Sequence, residues 1–365
     1  MVRGTSVRWT PRPPRPPTQR HPAEPAERRT PVRIKLQDVA QRAGVSEATV
    51  SRVVNGRPGV SERTRTAVLD VLVEMGYEPV SLRRSDPRRT IGLLVPELDN
   101  PIFPAYSQAI EAQLAKAGCL TVLCCAGRNG SAEAEYLATL LDRNIDGIID
   151  VSGQHAILDG AHEMYRTVTE KHIPMVFVNG AVDGLRVPSV SADEAEAAYL
   201  AVRHLVELGH RCVGFLSGPA NHLGVRRRAI GFDTALDAAG LRGVTAESTM
   251  FSVEGGRNGA HRLLAAGATS IVATSDVMAL GAVRAVREAG LDVPADVSVI
   301  GYDDTDLMAF TDPPLTTVRQ PVQVIADHAV DLLVGQLAGR SVSSNEILVR
   351  PELVVRGSTA ARRVS

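Results

Sequence analysis

From residue 91 onward the sequence alternates between short, wholly apolar runs and longer stretches of helical periodicity. No other feature restricts the fold so strongly. Ile91-Gly92-Leu93-Leu94-Val95 precedes a helical pattern from about Ala105 to Ala117, and Leu120 to Cys124 precedes one from Ala132 to Arg143. Apolar runs recur at Gly147 to Val151, Met175 to Val178, Cys212 to Leu216, Ser270 to Ala273 and Val297 to Gly301. Between them lie helical patterns that include Glu194 to Leu208, Arg227 to Ala239, Gly256 to Ala266 and Ala279 to Gly290. A strand apolar at every position is buried on both faces, as in a parallel sheet clad by helices. Roughly 270 residues exceed one small sheet, so residues 91–359 are expected to form two doubly wound α/β lobes.

The first 90 residues have a different texture. The first thirty residues carry seven Pro and seven Arg with no apolar stretch. Residues 1–32 read as a disordered Pro/Arg-rich tail, not a secretory signal. Residues 33–80 then give three short amphipathic helices, a small all-α unit. Leu36, Val39, Ala40 and Ala43 line the first, and Gly44-Val45-Ser46 breaks it. Val50, Val53 and Val54 line a second helix, Glu47 to Val54, that ends at Asn55-Gly56. Ser61 suits the N-cap of a third, lined by Val68, Leu69, Leu72, Val73 and Met75 and closed by Gly76. Residues 81–90 form a polar, Arg-rich linker.

The net charge of −1 hides this division. Residues 1–90 hold 18 basic and 9 acidic side chains, and the remainder 22 and 32. A basic head on an acidic body points to a nucleic acid or an anionic surface at one end. No apolar run approaches the ~18 residues of a membrane span, so no membrane partner is expected. Four cysteines (Cys119, Cys124, Cys125, Cys212) without C-x-x-C spacing imply neither a disulfide framework nor a metal site. There is no G-x-x-x-x-G-K-[ST], Ser217 is not in G-x-S-x-G spacing, and no H-E-x-x-H occurs. Catalytic residues, metal and cofactor are all expected to be none, in a soluble, cytoplasmic non-enzyme.

Two helices joined by a tight turn at Gly44, the second with a polar outer face, form a helix–turn–helix. Asp38-Val39-Ala40, Ala43-Gly44-Val45-Ser46, Thr49-Val50-Ser51-Arg52-Val53, Asn55 and Gly76-Tyr77-x-Pro79 together resemble the DNA-binding domain of the LacI/GalR (lactose/galactose repressor) family. The resemblance implies that Glu47, Ala48 and Arg52 face the bases, while Ser46, Thr49, Ser51 and Asn55 serve phosphates or helix packing. Physically, Arg52 can fork onto a guanine edge and Ala48 can touch a thymine methyl. Glu47 is open between accepting from cytosine and favouring the helix dipole. The resemblance further implies a hinge helix whose leucine wedges into the minor groove. Leu82 is the candidate, although Val80 replaces the usual Asn, the linker is about three residues short, and Pro87 limits helix length. Arg83, Arg84, Arg88 and Arg89 would neutralise phosphates.

The body resembles the two-lobed ligand domain shared with periplasmic sugar-binding proteins. The matching pieces include Asn100-Pro101-Ile102-Phe103, Ile145-Asp146-Gly147, Arg228-x-x-Gly231-Phe232, Ser275-Asp276, Tyr302-Asp303-Asp304 and Pro314-Leu315-Thr316-Thr317. Ligands of doubly wound sheets sit beyond the carboxyl ends of strands, which makes Asn100 to Phe103, Gly127 to Asn129, Asn179, Ser275-Asp276 and Asp303-Asp304 pocket candidates. The resemblance singles out Arg228, Ser275 and Asp303 as effector contacts, with Ile102 and Phe103 stacking. With the sole Trp at position 9, Phe103, Phe251, Tyr302 and Phe310 share the aromatic platform. The run Arg226-Arg227-Arg228 is either partly a solvated helix face or a site for an anionic effector.

The sequence therefore describes a regulator, expected to be a repressor. Its partners would be double-stranded operator DNA, a small sugar-like effector, and its own copies in a homodimer or higher homo-oligomer. The helix at Ala105 to Ala117 is a candidate dimer element. The alternatives are a solute-binding protein and a regulator answering to a protein partner.

Overall fold

The computed structural model describes residues 36–54, 59–75, 88–127, 130, 132–160, 162–247 and 250–362. The described residues 36–75 and those from 88 onward form two separate compact units.

The first unit is three helices: α1 (Leu36–Ala43), α2 (Glu47–Val54) and α3 (Glu62–Glu74). Val39, Ala40, Val50, Val53, Val68 and Leu72 form its core, with Val45 packed against them. Gly44 takes φ +66, a left-handed conformation that admits glycine cheaply. The turn it makes lets the Val45 N–H donate to the Ala40 carbonyl at 3.0 Å. Ser46 and Ser61 cap α2 and α3, accepting from the Thr49 and Thr64 N–H groups at 3.2 Å each. The expected helix ends at Asn55 and Gly76, and most of the linker with Leu82, lie outside the described residues.

The second unit contains β1 (Thr90–Val95), α4 (Ile102–Lys116), β2 (Leu120–Cys125), α5 (Glu133–Asp142), β3 (Gly147–Val151), α6 (Glu163–Glu170), β4 (Met175–Val178) and β5 (Ser189–Ala192). These are followed by α7 (Glu194–Glu207), β6 (Val213–Ser217), α8 (Leu223–Ala238), β7 (Val244–Glu247), α9 (Val253–Ala265), β8 (Ser270–Ala273), α10 (Asp276–Glu288) and β9 (Ser298–Asp303). The last elements are β10 (Thr316–Arg319), α11 (Val322–Leu337), β11 (Glu346–Val349) and β12 (Glu352–Val354). The strands make two six-stranded sheets, ordered β11-β5-β4-β3-β1-β2 and β12-β10-β9-β8-β6-β7. Every pairing is parallel except β10 with β12.

The chain passes between lobes at three short connections, around residues 193, 320–321 and 350–351. Helix α11 and strand β11 return to the first lobe after the second is nearly built, and Ile325, Ala329 and Leu333 of α11 join the first lobe's core. Helix α4 begins at Ile102, three residues before the sequence pattern suggested. Pro104 falls in its first turn, where a missing N–H costs nothing. Among the described residues no helix is long and apolar enough to cross a membrane.

Candidate effector cavity and DNA-reading helix

Strands β1, β3, β4, β6, β8 and β9 all end at one cavity of about 340 Å³ between the lobes. Its size falls in the range of small-ligand sites, ~300–1,000 Å³. Ile102, Phe103, Arg228, Ser275 and Asp303, five residues far apart in sequence, share its wall. So do Asn100, Gly127 and Asn179 of the wider candidate set, whereas 128 and 129 lie outside the described residues. Backbone strain gathers at the same rim: Ser152, Asn179 and Asp303 have φ of +52, +60 and +128. Such conformations cost about 1–3 kcal/mol each and persist where the surroundings enforce them.

Each contact has a definite setting. The Arg228 guanidinium lies 4.4 Å above the Tyr302 ring and donates to Glu194 at 2.6 Å, with both side chains buried. Burial opposes its charge most strongly, but Glu194, Tyr302 and Asp303 together outweigh it and raise the arginine's pKa. Its Nε has no protein partner, nor has Oδ2 of Asp303. The other oxygen of Asp303 accepts from Gln320 Nε2 at 2.7 Å. Burial, reinforced by the charge of Asp276, pushes the Asp303 carboxyl well above the usual carboxylate range. The neighbouring Asp304 turns away and pairs with Arg319 and Arg356. Ser275 is on the wall, but its hydroxyl caps α10 by accepting from the Met278 N–H at 3.3 Å. Its hydrogen and its second lone pair are left for a ligand.

The arginine run separates into three roles. Arg226 is exposed. Arg227 makes a bidentate pair with Glu346 at 2.7 and 2.6 Å. Only Arg228 reaches the cavity. Of the aromatic platform, Phe103, Phe251 and Tyr302 line the wall, whereas Phe310 is 85% exposed and stands apart. Gly218 makes room for Phe251, because a Cβ there would lie 2.5 Å from the ring.

Sequence reasoning missed several wall residues, above all Tyr106, Glu133, Gln154, His222 and Gln320. The Tyr106 hydroxyl donates to Gln320 Oε1 at 2.7 Å and accepts from Asn179 Nδ2 at 3.1 Å. A hydrogen-bonded chain thus runs from Asp303 in the second lobe, through Gln320, to Tyr106 and Asn179 in the first. Glu133 belongs to a buried cluster with Asp150, His155 and Tyr165. Burial, with Asp150 adding repulsion, pushes the Glu133 carboxyl up to about 8. A protonated Glu133 suits the Tyr165 hydroxyl, which can accept from it while donating to Asp150 at 3.0 Å. Burial, with Arg228 next, drives the His222 imidazole down to about 3, so it is neutral near pH 7.

In the first unit, Val50 and Val53 face the core while Ser46, Glu47, Ala48 and Arg52 are exposed and Thr49 and Ser51 are half-buried. Helix α2 therefore offers one polar face carrying the expected DNA-contact residues. Asn55 and Leu82 fall outside the described residues.

Comparisons with known proteins agree with this division. The family model for bacterial regulatory proteins, lacI family, matches residues 35–80, and that for the periplasmic binding protein-like domain matches residues 202–359. The HTH-type transcriptional regulator MalR of Streptomyces coelicolor is 46% identical over 334 residues, covering 90% of this chain and 97% of the relative. Among solved structures, a complex of the transcriptional regulator CelR with cellobiose has a TM-score of 0.67 at 30% identity and covers 89% of this chain and 100% of its own. The Lac repressor dimer bound to operator and the anti-inducer ONPF has a TM-score of 0.68 at 30% identity, covering 90% and 99%. The fold and its helix–turn–helix define a DNA-binding transcriptional regulator with a periplasmic-binding-protein-like body. The chain belongs to the LacI family.

Proposed function

We propose that the chain is a repressor whose affinity for operator DNA is set by a sugar or sugar derivative bound between the lobes. The observation that carries this is a pair of buried polar atoms on the cavity wall, Arg228 Nε and Asp303 Oδ2, that find no partner in the protein. Leaving such groups unmade costs about 1–3 kcal/mol each, a cost that ligand hydroxyls can offset. Phe103 and Phe251 supply apolar faces for the C–H side of a sugar ring, and Ile102 extends that surface. Ser275 offers its hydroxyl hydrogen.

On this reading α2 enters the major groove, with Glu47, Ala48 and Arg52 on base edges and Ser46, Thr49, Ser51 and Asn55 on the backbone or the helix itself. Leu82 is the minor-groove wedge. Two copies would bind a two-fold operator, with α4 as a candidate dimer element. The domain limits proposed are 1–32, 33–80, 81–90 and 91–359. Cellobiose is bound by the CelR neighbour, which makes it the first ligand to try. The test is an electrophoretic mobility shift on the DNA upstream of the chain's own gene, with and without saturating neutral saccharides. A retarded band that a saccharide weakens or strengthens supports the reading. Saccharide binding with no retardation of any promoter fragment would instead favour a solute-binding protein.

A further inference from the structure

The run Arg226-Arg227-Arg228 puts three guanidinium groups on consecutive positions of α8, each turned ~100° round the helix from the last. Arg226 is exposed and Arg228 lines the cavity. Arg227 takes the third direction and leaves its own lobe. Helix α8 packs in the second lobe, whereas its partner Glu346 is on β11, the edge strand of the first lobe's sheet.

Both ends of this pair are held. A Cβ at Gly231, one turn further along α8, would run into the Ala195 carbonyl of α7, so only glycine lets the two helices pack this closely. On the other side, Glu346 accepts from the Ser191 hydroxyl of β5 at 2.5 Å as well as from two Arg227 nitrogens at 2.7 and 2.6 Å. Such a fork is directional as well as strong. Burial pushes the Glu346 carboxyl up, but the bonds from Arg227 and Ser191 outweigh it and hold the carboxyl below its ordinary value. Arg227 and Glu346 are 28% and 18% exposed, which puts the pair between a solvated surface bridge and a buried one. The Arg350–Glu196 pair at the third crossover is weaker in kind, because its arginine is 78% exposed.

The lobes also touch at the cavity wall. The Leu158 N–H of the first lobe donates to the Asn221 carbonyl of the second at 2.9 Å, beside an antiparallel bridge between Ile157 and His222. Asn221 and His222 immediately precede α8, the helix that carries Arg227. Rotating the second lobe away from the first would break the fork and this backbone bond together.

We propose that the Arg227–Glu346 pair is a tether between the lobes that sets how often the cleft opens, which makes Arg227 a positioning residue for the effector site. Its role toward an effector rests on the reading of the cavity given above; the tether itself does not. Ligand affinity scales with the fraction of chains whose lobes hold the binding arrangement, so a looser tether weakens binding without removing a ligand contact. Arg228 stands one residue along the same helix, so a ligand that draws on it acts on the helix that holds the tether.

Hydrogen–deuterium exchange on the full-length protein, without added ligand and resolved to single amides, tests this. The Leu158 amide reports separation of the lobes, because its acceptor lies in the other lobe. The Ile157 and Gly160 amides flank it but bond to the Gln154 and Ile157 carbonyls at 3.0 and 3.1 Å, so they report fraying of the loop alone. Those of Ile148 and Thr274, bonded to the Pro174 and Leu216 carbonyls, report the two lobe cores. Arg227→Met, which keeps an apolar stem and removes the fork, should speed Leu158 exchange at least about fivefold and the four control amides less than about twofold. Glu346→Gln should act in the same direction, and combining it with Arg227→Met should add little. Arg227→Lys, with the charge kept and the fork lost, should fall between Arg227→Met and the natural chain. An unchanged Leu158 rate in Arg227→Met overturns the tether. So does an acceleration shared equally by the control amides, since the pair would then hold only the loop or the fold. No ligand enters the measurement, so either result leaves the sugar reading standing.

Discussion

At the scale of single residues, the buried Arg228–Glu194 pair and the Glu133 cluster have opposite thermodynamic characters. Removing one partner of a buried ion pair leaves an uncompensated charge and costs about 3–5 kcal/mol. Glu194→Gln should therefore lower the urea midpoint clearly even without ligand, and it should also weaken any sugar bound at Arg228. The Glu133 group acts through pH. Its folded value of about 8 lies above the ordinary 4.5, and that of Asp276, about 7 through burial, lies above 3.8. A raised carboxyl pKa means the folded state holds the proton more tightly. Its stabilisation is complete below the ordinary value and is lost as pH rises through the folded one. Urea midpoints are expected to fall between pH 5 and pH 9, and Glu133→Gln should flatten part of that slope. His222 works from the other side: its imidazole, depressed to about 3 by burial, withdraws stability as pH drops below about 6.5. A midpoint that rose steadily toward pH 9 would contradict the assignment of Glu133.

At the scale of elements, legibility followed how apolar an element is. Strands β1, β3, β4, β6 and β8 are buried at every position or nearly so, and their runs of Val, Ile and Leu stood out. Strands β5, β10 and β11 were not singled out, since Ser189, Ser191, Thr316, Thr317 and Glu346 interrupt any apolar signal. Those polar side chains are there for partners: Ser191 and Arg227 both bind Glu346, and Thr317 donates to Asp276 at 2.6 Å. The same reason hid part of the cavity. Glu133 reads as an ordinary acid in a helix's first turn, and Tyr106 as one more core aromatic, until the lobes are assembled. Arg228 and Asp303 were legible because their motifs are, whereas Phe310 was placed at the site only because it is aromatic. Helix α2 supplies a sharper trial. Ser46→Ala removes the cap and should cost about 1 kcal/mol of stability in the first unit. Arg52→Ala should leave folding unchanged and cost about 1–3 kcal/mol at one base pair of each half-site, read as relaxed specificity in a competition mobility shift.

At the scale of the whole molecule, the hydrogen-bonded chain Asp303–Gln320–Tyr106–Asn179 ties what happens at the cavity to both lobes at once. Coupling between ligand and operator is reciprocal, so whatever factor a sugar applies to DNA affinity, DNA applies to sugar affinity. Tyr106→Phe deletes the central hydroxyl while keeping the ring in its buried site. It is expected to reduce that coupling factor more than it reduces sugar affinity itself, measured by titrating sugar with and without operator. Equal loss in both would make Tyr106 merely part of the binding wall.

The return of α11 and β11 to the first lobe also imposes an order on biosynthesis. The three-helix unit has all its described core by residue 75, whereas the first lobe lacks a covering helix and an edge strand until residue 349 has left the ribosome. At ~5–20 residues per second that interval lasts roughly 14–55 s. During it a nascent chain carries a DNA-binding unit with its described core complete and a first lobe still missing α11 and β11. Ribosome-arrested chains ending near residue 320 should accordingly be cut by protease within the first lobe, while chains extended past residue 360 and clear of the exit tunnel resist. In the growing polypeptide, the helices that carry the helix–turn–helix are complete long before the cavity between the lobes exists.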